Sequence, residues 1–141
     1  MNVRSAKPSD IPHLLALEDK CWVQNLRQSS ETITRLVTSF PDNQYVLESN
    51  GEVCGVLYTQ TIADIQKILD SAYYRDLQNY SDANGSTIQL ISINCDTQKC
   101  PNGAMLLRNR VVEAAKSNPI IDSIVAITRC SRFMKYWMGT S

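Results

Sequence analysis

The sequence predicts an α/β fold (α+β, with helices and strands alternating along one chain), and three observations carry that prediction. Stretches such as Thr87-Ile88-Gln89-Leu90-Ile91-Ser92-Ile93 alternate β-branched or apolar residues with polar ones, the pattern of a sheet strand. Other stretches place apolar residues at helical spacing, most clearly Ile33, Leu36, Val37 and Phe40. The two kinds follow one another in the order β-α-α-β-β-(α)-β-α-β, with turn signals between them and no internal repeat or low-complexity linker.

The elements follow in chain order. Val3 to Ala6 is a short strand. Lys7-Pro8-Ser9-Asp10 is a helix entrance, where Ser9 or Asp10 can cap and Pro12 fits the first turn. Ile11, Leu14, Leu15, Cys21 and Trp22 then keep one apolar face to about Trp22. Ser29 or Ser30 caps a second helix that Pro41 stops. Gln44 to Glu48 is a strand, and Asn50-Gly51 marks a hairpin, because both central residues of a type I′ turn need positive φ. Val53 to Thr61 returns as a strand, with Gly55 inside it signalling a bulge or a close backbone approach. Ala63 to Leu77 is helical in pattern, and Asn79 to Ser86 is a polar turn region. After the Thr87 strand, a helix from about Gly103 to Lys116 has Leu107, Val111, Ala114 and Ala115 on its inner face, and Asn118-Pro119 ends it. Ile120 to Arg129 is a β-branched strand.

Bulk properties bound the function. At 141 residues the chain is expected to form one domain, 1–141, with a real core. Apolar residues make up 43% and charged residues 20%, a globular composition. Lys+Arg and Asp+Glu balance at 14 each, which removes the electrostatic argument for nucleic acid or an anionic membrane as a partner. No apolar run is long enough to span a bilayer. The N-terminus has no signal-peptide pattern, so a cytoplasmic location is expected. The five cysteines (Cys21, Cys54, Cys95, Cys100, Cys130) form no Cys-x-x-Cys, and with one histidine no metal site is expected. They read as small buried thiols; only position hints at reactivity for Cys95 and Cys100.

The stretch from Thr87 to Leu107 is the one with chemistry in it. A strand enters a loop rich in turn residues, Asn94 to Gly103, and leaves as a helix. The first N–H groups of a helix lack intrahelical acceptors and the macrodipole favours an anion, so such a junction can hold a phosphate. On the residues alone it is equally an ordinary strand–turn–helix.

Gln98-x-x-Pro101-x-Gly103, after a strand and before Leu106-Leu107, resembles the acyl-CoA pyrophosphate loop of the GCN5-related N-acetyltransferase (GNAT) superfamily. That loop usually reads Arg/Gln-x-x-Gly-x-Gly/Ala. Pro101 stands where the first glycine is usual and removes one N–H donor. Three further stretches narrow the likeness: Leu17-Glu18-x-x-Cys21-Trp22-x-x-x-Leu26-Arg27; Phe40-Pro41-x-x-Gln44-Tyr45-Val46-Leu47-Glu48 with Gly55-Val56-Leu57-Tyr58-x-Gln60; and Val125-x-x-Thr128-Arg129-Cys130. Together they resemble the GNAT-like domains that load starter units onto acyl carrier proteins in polyketide synthases.

The resemblance implies a GNAT-like fold with a mixed central sheet. It also implies acyl-CoA as substrate, held between two splayed strands, without a metal. Ile91 and Ile93 would lie along the CoA, with Gln98, Lys99, Asn102, Gly103 and Ala104 around its pyrophosphate. Trp22 would line the acyl pocket, and Thr128 would donate to the thioester oxygen as the second catalytic candidate. Both have plainer readings, Trp22 as a helix-end core anchor and Thr128 as a strand former. His13 reads as a surface residue. The reaction implied is decarboxylation of malonyl- or methylmalonyl-CoA, transfer of the acyl group to an acyl carrier protein, or both. The alternatives are an N-acetyltransferase for a small amine and a non-catalytic remnant.

The family has a further helix, two strands, and a catalytic histidine and arginine beyond the last strand read here. Cys130 to Ser141 is too short for three elements, so the expectation is a C-terminally truncated domain, inactive or nearly so alone. An unpaired Ile120 to Arg129 strand would then promote self-association, unless the apolar tail Phe133 to Met138 folds back over it.

Overall fold

The structure is a computed structural model that describes residues 1–63, 66, 81–127 and 133–137. Among the described residues there are six strands: β1 (Asn2–Ser5), β2 (Gln44–Ser49), β3 (Glu52–Ile62), β4 (Thr87–Cys95), β5 (Ser123–Ile127) and β6 (Phe133–Trp137). They lie across the sheet in that order. Three helices are described: α1 (Ile11–Cys21), α2 (Ser30–Ser39) and α3 (Gly103–Ser117). β1–β2, β2–β3 and β5–β6 are antiparallel and β4–β5 is parallel, so the mixed α/β class expected from the sequence is the one observed. The helix expected over Ala63 to Leu77 lies outside the described residues except for Ala63, which is a bend, and Gln66, which is helical. The chain divides into two compact units, Met1–Tyr58 with Ile93–Arg110, and Thr59–Ser92 with Val111–Ser141.

In the first unit, Asp10 does not cap α1 directly. Its carboxylate accepts from the Lys7 N–H at 2.8 Å and receives both terminal nitrogens of Arg4 at 2.8 Å, closing a 3-10 turn (Pro8–Asp10) ahead of the helix. Ser29 is the α2 cap, its hydroxyl accepting from the Thr32 N–H at 3.1 Å. Ile33, Leu36 and Val37 are buried at the spacing that predicted the helix. Asn50 and Gly51 have φ of 54° and 79°, as the hairpin signal requires. The register slips between Leu47 and Glu48: Leu47 faces Gly55 and Glu48 faces Val53. Cys54 is thus the extra residue of a bulge, and its thiol donates to the Leu47 carbonyl.

In the second unit, the described parallel register runs from Thr87 opposite Ser123 to Leu90 opposite Ala126. β6 then lies antiparallel on β5, from Ile127 opposite Phe133 to Ile124 opposite Trp137. Of the two expectations for the β5 edge, open or covered by the tail, the described residues show the second. The apolar tail pairs with it along Ile124 to Ile127. Inside this unit, buried Gln60 donates to buried Gln89 at 2.7 Å, and Ser81 donates back to Gln60.

Candidate functional site

The loop from Asp96 to Asn102 is tied down by its own first residue. The Asp96 N–H donates to the Cys54 carbonyl at 2.8 Å, fixing the loop to β3. The Asp96 carbonyl accepts from Lys99 and Cys100, and its carboxylate accepts from the Gln98 N–H at 3.1 Å, an Asx turn. The Gly103 N–H then donates to the Cys100 carbonyl at 3.0 Å. The backbone donors of Gln98, Lys99, Cys100 and Gly103 are thus spent within the loop. Because α3 starts at Gly103, whose N–H is taken by Cys100, the first-turn N–H groups without an intrahelical acceptor fall at Asn102, Ala104 and Met105. Met105, 55% exposed, was not among the sequence candidates. The signal that could have found it is the helix start itself, which fixes where the unpaired donors fall.

Packing alone already calls for glycine at position 103. A Cβ there would lie 2.9 Å from Leu47 Cδ2, 3.0 Å from Cys100 Sγ and 3.1 Å from Cys95 Sγ. Gly55 makes a similar close approach, its Cβ position lying 3.2 Å from Cys95 Sγ. The two glycines let β3 and α3 close over a floor of thiols. Burial pushes the Cys54 thiol up to about 12 and that of Cys95 to about 11, and raises Cys21 and Cys100 as well. Cys54 and Cys100 are buried and Cys21 and Cys95 half-buried, and thiols raised in this way are poor nucleophiles at neutral pH.

The other sequence candidates are spread over the chain. Gln98 and Asn102 are exposed, and Ala104 is half-buried. Lys99 places its Nζ 3.0 Å from Glu52, with both side chains more than half exposed. Ile91 is buried and Ile93 half-buried, both on the part of β4 beyond its described pairing with β5. His13 is exposed. Thr128, with Arg129 and Cys130, lies outside the described residues. Among the described residues no group of His, Cys, Asp and Glu is arranged to hold a metal, and no helix is long and apolar enough to cross a membrane.

Trp22 and the base of the loop are brought together within the first unit. The last turn of α1 meets the end of β4 in an antiparallel ladder of side-chain contacts. Lys20 Nζ reaches Asp96 Oδ2 at 2.7 Å, the Cys21 thiol points at the Cys95 carbonyl at 3.7 Å, and the Trp22 indole N–H donates to Asn94 Oδ1 at 2.6 Å. Asn94 in turn donates to Glu18 Oε1 at 2.9 Å, and Glu18 Oε2 accepts from the Gln28 N–H at 2.8 Å. The Lys20 ammonium, with the loop N–H groups, holds the Asp96 carboxyl below the usual carboxylate range.

Comparison with solved structures gives this arrangement a family context. The structure matches the loading GNATL domain of CurA from Lyngbya majuscula at TM-score 0.82 and 29% identity over 90% of the chain. It matches the GphF GNAT-like decarboxylase in complex with isobutyryl-CoA at TM-score 0.82 and 34% identity over 89% of the chain. The fold is the GNAT fold. Its form is close to that of these GNAT-like loading and decarboxylase domains, the kind of domain the sequence resemblance pointed to. A ribosomal-protein-alanine N-acetyltransferase from Brucella melitensis, at TM-score 0.58 and 15% identity over 89% of this chain and 73% of that one, shares the GNAT fold alone. The chain spans 64% and 65% of the length of the first two domains. No family model and no curated protein matches the sequence.

Proposed function

We propose that this chain is an acyl-CoA-dependent GNAT acyltransferase that decarboxylates malonyl- or methylmalonyl-CoA, passes an acyl group to an acyl carrier protein, or does both. The observation that carries the reading is the 34% identity and TM-score of 0.82 to a decarboxylase whose structure contains isobutyryl-CoA. The local geometry supports it. The α3 N-terminus offers the Ala104 and Met105 N–H groups to a pyrophosphate, and the α1–β4 ladder sets Trp22 beside the base of that loop. In this reading Ile91 and Ile93 flank the pantetheine, while Gln98, Lys99, Asn102, Gly103 and Ala104 surround the phosphates. Trp22 walls the acyl pocket, and Thr128 donates to the thioester oxygen.

The chemistry asks for a water-poor pocket for the carboxylate and a hydrogen-bond donor at the enolate oxygen. Transfer then needs the carrier thiol close to the carbonyl carbon. The proposal includes a cytoplasmic location, with the four described cysteines as free thiols. The test is mass spectrometry of a holo acyl carrier protein incubated with the chain and malonyl-, methylmalonyl- or acetyl-CoA. Decarboxylated thioester or loaded carrier supports the reading. Acetylated small amines with neither product would replace it by an ordinary N-acetyltransferase. Binding is tested separately by calorimetry with CoA. Gly103 is the wrong residue to vary, because any side chain clashes there. Ala104→Asp adds a carboxylate beside the free N–H groups and is expected to weaken CoA binding at least about tenfold through charge repulsion.

A further inference from the structure

The relay from Glu18 through Asn94 to Trp22 is built in a way that packing alone does not call for. Asn94 is 1% exposed and Glu18 2% exposed. A buried carboxylate and amide cost stability unless they are bonded, and an apolar pair of the same volume would fill the space at least as well. What the polar pair supplies is direction. An indole N–H can only donate and an ionised carboxylate can only accept. The residue between them must accept on one side and donate on the other, which an amide does and neither aspartate nor leucine can. These two neighbours leave only one orientation for the Asn94 amide, with Oδ1 toward Trp22 and Nδ2 toward Glu18. Glu18 is fixed in turn by the Gln28 N–H.

The backbone of Trp22 is held just as closely. It is the first residue past α1, with extended φ and ψ, where the chain is free to leave in many directions. Its N–H donates to the Glu18 carbonyl at 3.1 Å, and its carbonyl accepts from Arg27 Nε at 2.9 Å. With the backbone pinned at both ends and the indole N–H pinned to Asn94, both side-chain torsions of Trp22 are determined.

We propose that Asn94, oriented by Glu18, is the positioning residue that sets the indole plane of Trp22 against the acyl group of the bound thioester. The inference rests on the reading above that Trp22 walls the acyl pocket. Asn94 acts on the acyl end only. It leaves the pyrophosphate loop alone, so acyl selectivity and CoA affinity separate.

The experiment uses the full chain with CoA and isobutyryl-CoA as probes. Calorimetry gives the preference for isobutyryl-CoA over CoA, and a nitrogen–proton correlation spectrum gives the Trp22 indole resonance, identified by its loss in Trp22→Phe. The wild-type indole N–H is expected to exchange slowly and to shift with isobutyryl-CoA but not with CoA. Asn94→Leu is expected to lower the acyl preference about tenfold, the scale of one buried hydrogen bond, with CoA affinity unchanged. In a Trp22→Phe background the same substitution is expected to change nothing further, because its effect passes through the indole N–H. A wild-type indole N–H that exchanges at solvent rates would overturn the inference even if Asn94→Leu does not fold. So would a preference that survives Asn94→Leu, or one that falls equally in the Trp22→Phe background. If the wild type binds neither thioester nor CoA, the acyl-CoA reading falls and takes this role for Trp22 with it. If it binds both and only the Asn94 results fail, the acyl-CoA reading stands and the positioning role is gone.

Discussion

From Asp96 to Leu106 the backbone closes on itself through bonds spanning two to four residues, whereas the end of α1 is tied to the end of β4 by side chains 72 to 76 residues apart in sequence. The loop owes its shape to what is missing: a proline without a donor, a glycine without a Cβ, and N–H groups turned inward onto Asp96. The α1–β4 junction owes its shape to what is present, an ammonium, an amide, an indole and a carboxylate in complementary pairs. In the first case a substitution fails by adding atoms, and in the second by removing a partner. That difference tells how each is to be broken.

The largest effect is expected from Gly103→Val. The Cβ alone meets Leu47, Cys95 and Cys100 at 2.9 to 3.1 Å, and two of these neighbours are held by β2 and β4. Overpacking of this kind costs roughly 3 kcal/mol, measured as the shift in urea unfolding. Thiol labelling sharpens the result. In the wild type Cys54 and Cys100 are buried, with thiols raised in pKa, and are expected to react with iodoacetamide at pH 8 far more slowly than a free thiol. If Gly103→Val pries α3 from this floor, their labelling accelerates along with the loss of stability. A fully stable variant with protected thiols would mean that the loop yields, and that the contrast with the junction is false.

Next comes Glu18→Ala. It removes the acceptor of both the Asn94 amide and the Gln28 N–H in a buried place. A cost of about 2 kcal/mol is expected. Glu18→Gln, which keeps one acceptor, should cost about half as much. The informative reading is which region reports it. The Trp22 indole should lose its exchange protection while the amides of Lys99 and Cys100, bonded locally to Asp96, keep theirs. Loss at both places would show that the loop depends on the junction.

How much of this was legible follows the same division. The Asn50-Gly51 hairpin, the α2 stripe of Ile33, Leu36 and Val37, and the strand–loop–helix at Thr87 to Leu107 were readable because their causes lie within a few residues of each other. The strand–loop–helix frame of the motif was readable, but not which donors the loop uses up: Asp96 takes those of Gln98, Lys99 and Cys100, and the Cys100 carbonyl takes that of Gly103; no residue-type pattern carries that competition. The relay was unreadable for a stronger reason. Glu18 and Asn94 each look like ordinary polar residues, and only the packing of α1 against β4 brings them together. β6 was half readable. The tail's apolar character was visible, but whether it paired with β5 or left an open edge depended on tertiary structure.

A smaller effect, on the local side of the comparison, is expected at low pH. Arg4 lowers the Asp10 carboxyl below its ordinary value, helped by the Lys7 N–H, and Lys20 does the same for Asp96. A lowered native pKa means the folded state binds the proton less readily than the unfolded chain. The stability from these groups is therefore complete above the unfolded value of about 4 and is lost as pH falls through the native ones. Thermal unfolding from pH 7 to 2 should show a falling acid limb. Asp10→Asn should lower stability at pH 7 by about 1 kcal/mol, because a neutral amide keeps part of the bonding to Arg4, and should flatten the limb. An unchanged limb would assign the acid sensitivity to Asp96 and hence to the long-range junction.

The smallest effect is expected from Lys99→Ala. Lys99 belongs to the loop by sequence, and its ammonium is raised in pKa by a hydrogen bond to Glu52. Both side chains are more than half exposed, at 55% and 65%, so water and salt screen the pair. The loop's backbone bonds do not involve the side chain at all. The thermal midpoint of Lys99→Ala should therefore coincide with that of the wild type. If the α3 N-terminus takes a CoA pyrophosphate, the lysine contributes only a screened attraction. Its loss should weaken CoA binding by about twofold at low ionic strength and not measurably at 0.5 M salt, against the much larger loss expected for Ala104→Asp. A loss of CoA binding that persists at high salt would mean the ammonium leaves Glu52 to contact phosphate directly. The loop would then recognise its ligand by a side chain, as the α1–β4 junction holds Trp22, and no longer by backbone alone.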